Sequence, residues 1–172
     1  LIRNRTYLVA LILGTVPAII VGLFLEDKME TVFRNSHLVA YMLIIGAILM
    51  YGAEKLSNQD KELTHKKGFI IGIFQSLALI PGISRSGATI SGGLLTGLSR
   101  VEATRFSFLL SVPIILGSGL KKLLDLGQGD VLNLPLIIAS IIAFTSGLFA
   151  IHFLITYLKN HKLTPFIWYR LI

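Results

Sequence analysis

Long apolar runs separated by short polar stretches make up most of this sequence. Four of the runs predict membrane spans, because about 20 consecutive apolar residues cross a bilayer as a helix. Their predicted limits are about 7–25, 37–53, 105–120 and 131–158. The intervening stretches 26–34 and 54–67 are polar, and we predict that they form loops outside the membrane.

The pattern changes between residues 68 and 98, where two short apolar stretches flank Pro81-Gly82. The first stretch, 68–80, would be about 20 Å long as a helix, little more than half of a hydrocarbon core roughly 30 Å thick. It should end at Pro81-Gly82, because proline lacks an amide and glycine permits a sharp reversal. A second short helix over 86–98 would complete a re-entrant hairpin. The alternative is one irregular span with an interfacial loop, which would leave Ser84-Arg85-Ser86 harder to accommodate at the membrane centre.

Composition assigns the class. Of the 172 residues, 53% are hydrophobic and only 15% charged, with a mean hydropathy of +0.76, which is too little polar surface for a soluble domain. We therefore predict an all-α fold, a polytopic membrane bundle of helices that includes the hairpin. The net charge of +7 could indicate nucleic acid. We attribute it instead to lysines and arginines beside anionic lipid headgroups, and expect no nucleic-acid partner. The absence of cysteine excludes thiol nucleophiles, cysteine metal sites and disulfides.

Candidate chemistry is concentrated between Pro81 and Thr89, where Arg85 lies among hydroxyl side chains. An arginine near the membrane centre costs about 2.5–3.5 kcal/mol and needs a partner, yet this stretch contains no carboxylate. A phosphate would suit the planar guanidinium, and a helix beginning near Ser86 would point free amides at the same anion. Ser86 and Thr89 would share a face of that helix at i, i+3 spacing. The alternative is that Arg85 pairs with a distant glutamate and that the serines only cap the helix.

Residues 81–93, PGISRSGATISGG, closely resemble the second signature motif of the undecaprenyl-diphosphate phosphatases, the bacterial membrane enzymes linked to bacitracin resistance. Residues 75–80 and 107–113 are similar to that family's flanking segments, as are the closing Pro165-Phe166 and Tyr169-Arg170. The similarity covers essentially the whole chain.

The resemblance implies hydrolysis of undecaprenyl diphosphate to undecaprenyl phosphate, which recycles the lipid carrier for peptidoglycan and other wall polymers. It implies a bundle with two re-entrant hairpins related by an inverted repeat. The residues it marks as catalytic are Ser84, Arg85 and Thr89, and we expect the phosphate to contact Gly82, Arg85, Ser86 and Gly87. Ser84 could be the nucleophile or only a hydrogen-bond donor. We favour donor, because no base lies beside it in the motif.

The chain also departs from the family pattern. Family members carry a first, glutamate-rich motif upstream, followed by a stretch with serine and histidine, and this sequence contains neither. We expect that missing N-terminal region to hold the acid/base groups and the ligands of a divalent cation, Mg²⁺ or Ca²⁺, and expect no metal ligands in this chain. The last span also looks cut short. On its own the chain should be inactive.

One other function class fits the same architecture. A transporter or flippase of polyprenyl phosphate would also use broken helices and an anion site at the membrane midplane. Only the motif resemblance favours the enzyme, and phosphate release from a diphosphate lipid would separate the two. In either case the expected partners are the membrane and a polyprenyl lipid, in the bacterial inner membrane, and a homodimer is one assembly that the sequence allows.

Overall fold

A computed structural model describes residues 5–32, 35–58, 61–125 and 134–172. Within these ranges the chain forms helices and no strand, which confirms the predicted all-α class. The helices are α1 (Arg5–Val32), α2 (Ser36–Leu56), α3 (His65–Leu77), α4 (Arg85–Leu95), α5 (Arg100–Asp125), α6 (Leu134–Tyr157) and α7 (Thr164–Tyr169).

Four helices are long and apolar enough to cross a membrane, over Arg5–Leu25, Ser36–Leu56, Arg100–Lys122 and Leu134–Tyr157. They include the four predicted spans except for residues 131–133 and Leu158; the former lie outside the described residues. The predicted loop at 26–34 is wrong over 26–32, because α1 continues to Val32. Since a helix satisfies its backbone hydrogen bonds internally, it can continue into polar sequence. Residues 33 and 34 lie outside the described residues.

A helical hairpin, α3 followed by α4, covers residues 65–95, whereas the predicted hairpin covers 68–98. The arms are 13 and 11 residues long and pack against each other, with the seven residues Ala78–Ser84 between them. Each arm starts earlier than predicted, because a side chain caps it: Thr64 accepts from the Lys67 amide, and Ser84 accepts from the Gly87 amide. That the hairpin re-enters the membrane, and that it belongs to an inverted repeat, remain predictions.

The core lies where the hairpin meets α1, α2 and α5, and it extends to buried residues within 158–167. Ala10, Ile71, Leu94 and Phe106 are fully buried there. Glycines let α1 and α3 approach closely, since a Cβ at Gly72 would lie only 2.7 Å from the Cα of Gly14. Small residues at such contacts are typical of helix packing in membranes. The hairpin is therefore held by its neighbours, although α3 also has an exposed side that includes Phe69 and Ile73.

Candidate anion-binding site at the hairpin tip

The tip of the hairpin reverses the chain at Pro81-Gly82. Gly82 has φ +99°, a conformation that favours glycine. There is also no room for a side chain, because a Cβ at Gly82 would lie 2.5 Å from the carbonyl oxygen of Val39 on α2. The tip is therefore fixed against α2, and the residues that follow it are placed by that contact.

Ser84 forms the N-cap of α4 in a conformation that is rare outside glycine, with φ +71° and ψ +119°. Its Oγ accepts a hydrogen bond from the Gly87 amide at 3.3 Å and lies 3.4 Å from the Ser86 Oγ. Strained backbone at a non-glycine residue is concentrated at functional sites. Ser84 is exposed, and no histidine or carboxylate of the described residues contacts its hydroxyl, which is consistent with a donor rather than an activated nucleophile.

A cavity of about 410 Å³ opens beside this cap, and we call it the tip cavity. Three of the four predicted phosphate-binding residues, Gly82, Ser86 and Gly87, line it together with Ser84, which was predicted to be catalytic. The structure adds one residue that the motif did not supply, Arg170, which follows α7. The apolar walls of the tip cavity come mainly from α2, α6 and α7.

Arg170 is partly buried, and its guanidinium donates to the carbonyl oxygen of Gly82 and lies 3.4 Å from the Met50 sulfur. A Cβ at Gly87 would lie 3.1 Å from Arg170 Nη1, so the guanidinium lies over the first turn of α4. A helix N-terminus carries partial positive charge, and a cation there is unfavourable unless an anion joins the two. The sequence indicates Arg170 only through the resemblance of the closing segment to the family, because its approach to the tip depends on how α7 packs against α2.

Arg85 lines a different cavity, of about 430 Å³, which we call the Arg85 cavity. It lies among α1, α3 and α5, and its other polar lining residues include Gln75 and Lys121. The Arg85 guanidinium is partly buried and forms no hydrogen bond or ion pair with another described residue. The residues predicted to form one cradle are thus divided between the two sides of the α4 N-terminus.

Thr89 faces neither cavity. It is 1% exposed, its hydroxyl donates to the Arg85 carbonyl oxygen at 2.8 Å, and its Oγ1 lies 2.6 Å from the Ser107 Oγ on α5. Thr89 has a single hydroxyl proton. When Thr89 donates that proton to the Arg85 carbonyl oxygen, the Ser107 hydroxyl must donate to Thr89 Oγ1. Thr89 therefore ties the first turn of α4 to α5 and places Arg85 and Ser86.

Carboxylates lie away from the tip in the described residues. Glu54 is mostly buried and pairs with Arg100, accepting from its Nε at 2.7 Å. Its second oxygen lies 3.4 Å from the Leu163 amide, at the turn before α7. No group of three or more histidine or acidic side chains that could hold a metal occurs in the described residues. A divalent cation held mainly by protein oxygens needs several such ligands, and the described residues offer no cluster of that kind.

Comparison with known proteins identifies the relationship. Residues 2–172 match the family model described as "Bacitracin resistance protein BacA". The chain belongs to this family. A protein of Pelotomaculum thermopropionicum named undecaprenyl-diphosphatase is 44% identical over 165 residues, which cover 94% of this chain and 62% of the relative.

Two further relatives carry the same name. The protein of Halothermothrix orenii is 42% identical over 97% of this chain and 67% of its own length. That of Elusimicrobium minutum is 43% identical over 94% of this chain and 62% of its own length. The chain thus spans about two thirds or less of the relatives it matches.

Proposed function

We propose that the full-length form, meaning this sequence completed to the length of its relatives, hydrolyses undecaprenyl diphosphate to undecaprenyl phosphate and inorganic phosphate. One observation carries the proposal. The N-terminus of α4 has a guanidinium on each side, Arg85 and Arg170, and neither pairs with a described carboxylate. Two unneutralised cations beside a helix N-terminus suit a diphosphate, which carries negative charge on both phosphates.

The roles of the residues follow from their positions. Arg170, Ser84 and Ser86 would bind phosphate oxygens from the tip cavity, and Arg85 would bind from the other side. Phosphoryl transfer needs stabilisation of charge on the equatorial oxygens, which bidentate guanidinium groups supply. Gly87 would leave room for the phosphate, Gly82 would hold the tip against α2 beside it, and Thr89 would act as a positioning residue. Water is the proposed nucleophile, because no base contacts Ser84.

The divalent cation is a separate part of the proposal. Mg²⁺ or Ca²⁺, when bound, would neutralise phosphate charge. Because the described residues contain no group of three or more histidine or acidic side chains that could hold such an ion, we propose that its ligands belong to the part of the relatives' length that this chain does not span.

The cellular location and the oligomeric state are further parts of the proposal. Membership of this family and four helices that could span a membrane support a place in the bacterial inner membrane. A homodimer is supported only by the exposure of α6, which has no buried residue. The mass of the purified full-length form in a detergent micelle, corrected for detergent, would test it.

Arg85→Lys in the full-length form tests the function. Lysine keeps the charge but not the planar fork, and loss of such a transition-state contact typically lowers kcat/KM by about a hundredfold. Phosphate release from undecaprenyl diphosphate is the measurement. Arg105→Lys is the matched control, because Arg105 lines none of the cavities described here. Wild-type kcat/KM in Arg85→Lys contradicts the role of Arg85. If the full-length form moves polyprenyl phosphate across vesicle membranes without releasing phosphate, it is a transporter and not a phosphatase.

A further inference from the structure

The Arg85 cavity combines charged and polar lining residues with apolar walls. Arg85 and Lys121 line it together with Gln75, while Ile19 and Leu23 of α1 and Ile114 of α5 supply apolar surface. Its volume of about 430 Å³ is within the range of small-molecule sites, about 300–1,000 Å³. The arrangement suits a ligand with an anionic head and an apolar body.

Gln75 gives a second, independent indication of a ligand. The residue is 2% exposed, and its Nε2 donates to the Gly14 carbonyl oxygen at 3.4 Å. Its Oε1 is buried without a hydrogen-bond partner in the described part of the chain. A buried acceptor that lacks a partner costs about 1–3 kcal/mol. A ligand head with a protonated oxygen, or a water bound together with it, would satisfy this atom.

An apolar groove continues from the cavity. It runs between α1 and α5, has a volume of about 460 Å³, and shares Ile19 and Pro113 with the Arg85 cavity. Leu8, Ile12 and Val112 are typical of its walls. The hydroxyl of Thr15, also in the wall, donates to the Leu11 carbonyl, so the wall does not present an unsatisfied hydroxyl. Cavity and groove together are polar at one end and apolar along the rest.

We propose that the α1/α5 groove holds the isoprenoid chain of a phosphorylated polyprenyl lipid whose head lies at Arg85. This rests on the proposed function and adds the side of the hairpin from which the lipid enters. The charge of Arg85 at one end and the continuity of the walls fit a single amphiphile. Ile12 is 64% exposed and Ile19 50% exposed, so the chain would enter sideways from the bilayer.

The glycines of the cavity provide variants that fill it with little risk to folding. Gly22 and Gly117 line the cavity, and a Cβ at either position would meet nothing within 4 Å. Replacing a helical glycine also favours the helix. Gly119 lies on the same helix with equally open surroundings but lines none of the three cavities. Gly117→Leu and Gly119→Leu are therefore a matched pair.

The groove has a corresponding pair. Val112 lines it and is 49% exposed, whereas Ile115 is 54% exposed on the same helix and lines no described cavity. In the full-length form, Val112→Trp should raise KM for undecaprenyl diphosphate about tenfold, equivalent to 1.4 kcal/mol. KM for the short farnesyl diphosphate should change much less, because most of its length lies near the head. Ile115→Trp should leave both KM values unchanged.

Gly117→Leu tests the position of the phosphate head separately from that of the isoprenoid chain. It narrows the Arg85 cavity, in which the proposed head lies, so KM should rise for long and short substrates alike, while Gly119→Leu should behave as the unsubstituted enzyme. Equal KM values in Val112→Trp and Ile115→Trp, or in Gly117→Leu and Gly119→Leu, would overturn the groove assignment. If phosphate release in the unsubstituted enzyme is normal, the proposed function survives that result.

Photolabelling provides a readout that does not depend on catalysis. The probe is geranylgeranyl phosphate with a diazirine at the end of its chain, incubated with the full-length form and mapped by mass spectrometry. Labelled peptides from α1 and α5, lost in Val112→Trp, are expected. Labels on α2 or α7, which border the tip cavity, would place the chain on the other side and overturn the proposal. Equal labelling by the corresponding geranylgeraniol would also overturn it, because Arg85 would then contribute nothing.

Discussion

Helices α4 and α6 differ in burial in a way that their hydropathy does not suggest. Eight of the 11 residues of α4 are buried, and they include three glycines, a threonine and a serine. None of the 24 residues of α6 is buried, although this helix carries Phe144, Phe149 and Phe153, each more than 60% exposed. Lipid tails are as apolar as leucine, so burial in a membrane protein follows close packing rather than hydrophobicity. The hairpin is therefore where substitutions should matter.

The largest difference is expected for a pair of phenylalanines. Phe106 on α5 is fully buried and meets Tyr7 edge-to-face with ring centroids 6.3 Å apart, whereas Phe149 on α6 is 77% exposed. Phe106→Ala should lower the free energy of unfolding by about 3 kcal/mol, because it leaves a cavity. Phe149→Ala should change it by less than about 0.5 kcal/mol. Titration of the full-length form with SDS, followed by circular dichroism, is the measurement. Equal losses would mean that α6 is covered by another part of the molecule.

The next effect concerns the ion pair that ties α7 to the bundle. Glu54 is 8% exposed, Arg100 is 23% exposed, and Glu54 also reaches the Leu163 amide before α7. Glu54→Gln should lower the free energy of unfolding by about 2 kcal/mol, below the usual range for a buried pair because Arg100 is partly exposed. Adding Arg100→Gln should recover part of the loss in the same SDS titration. A double variant that is no more stable than the single one would show that the charge balance is not the cause.

Much of this architecture could be predicted from the sequence. The apolar runs and the Pro81-Gly82 break are local signals, because each is formed by residues that are adjacent in the chain. The helix ends were less predictable: α1 continues through 26–32, and α4 begins at Arg85 because Ser84 caps it. Hydropathy detects the transfer of side chains into lipid. It does not detect caps or polar extensions of a helix outside the membrane.

The candidate site was predictable in its residues and not in its arrangement. The motif identified Ser84, Arg85 and Ser86, but sequence spacing cannot say that Arg85 and the serines line separate cavities. Nor could it bring Arg170 to the tip, because that contact depends on the packing of α7 against α2. The i, i+3 spacing predicts that Thr89 binds the anion beside Ser86. Its burial beside Ser107 depends on how α5 packs against α4, which the spacing does not show.

Two glycines test the same difference in packing between the hairpin and α6 with a smaller change of side chain. A Cβ at Gly72 in α3 would lie 2.7 Å from the Gly14 Cα, whereas one at Gly147 in α6 would meet nothing within 4 Å. Gly72→Ala should lower the free energy of unfolding by about 1–3 kcal/mol through overpacking. Gly147→Ala should raise it by up to about 1 kcal/mol, because alanine favours the helix. The SDS titration midpoints should therefore move in opposite directions. Midpoints that move together would contradict the close α1–α3 contact.

The smallest stability effect, at Ser84, separates structural from chemical roles at the tip. Ser84→Ala removes the N-cap and should cost about 1 kcal/mol, whereas glycine at an N-cap costs only a few tenths. Glycine also tolerates the φ of +71°, so Ser84→Gly should be nearly as stable as the unsubstituted protein.

Activity should not follow stability at this position. If the Ser84 hydroxyl binds substrate, both variants lose phosphate release to a similar extent, because both lack the oxygen. If the serine only caps α4, activity in Ser84→Gly returns together with stability. Measuring kcat/KM and the SDS midpoint for the two variants side by side therefore distinguishes a cap from a ligand. Ser86→Ala is the control for loss of a hydroxyl in the same cavity without loss of the cap.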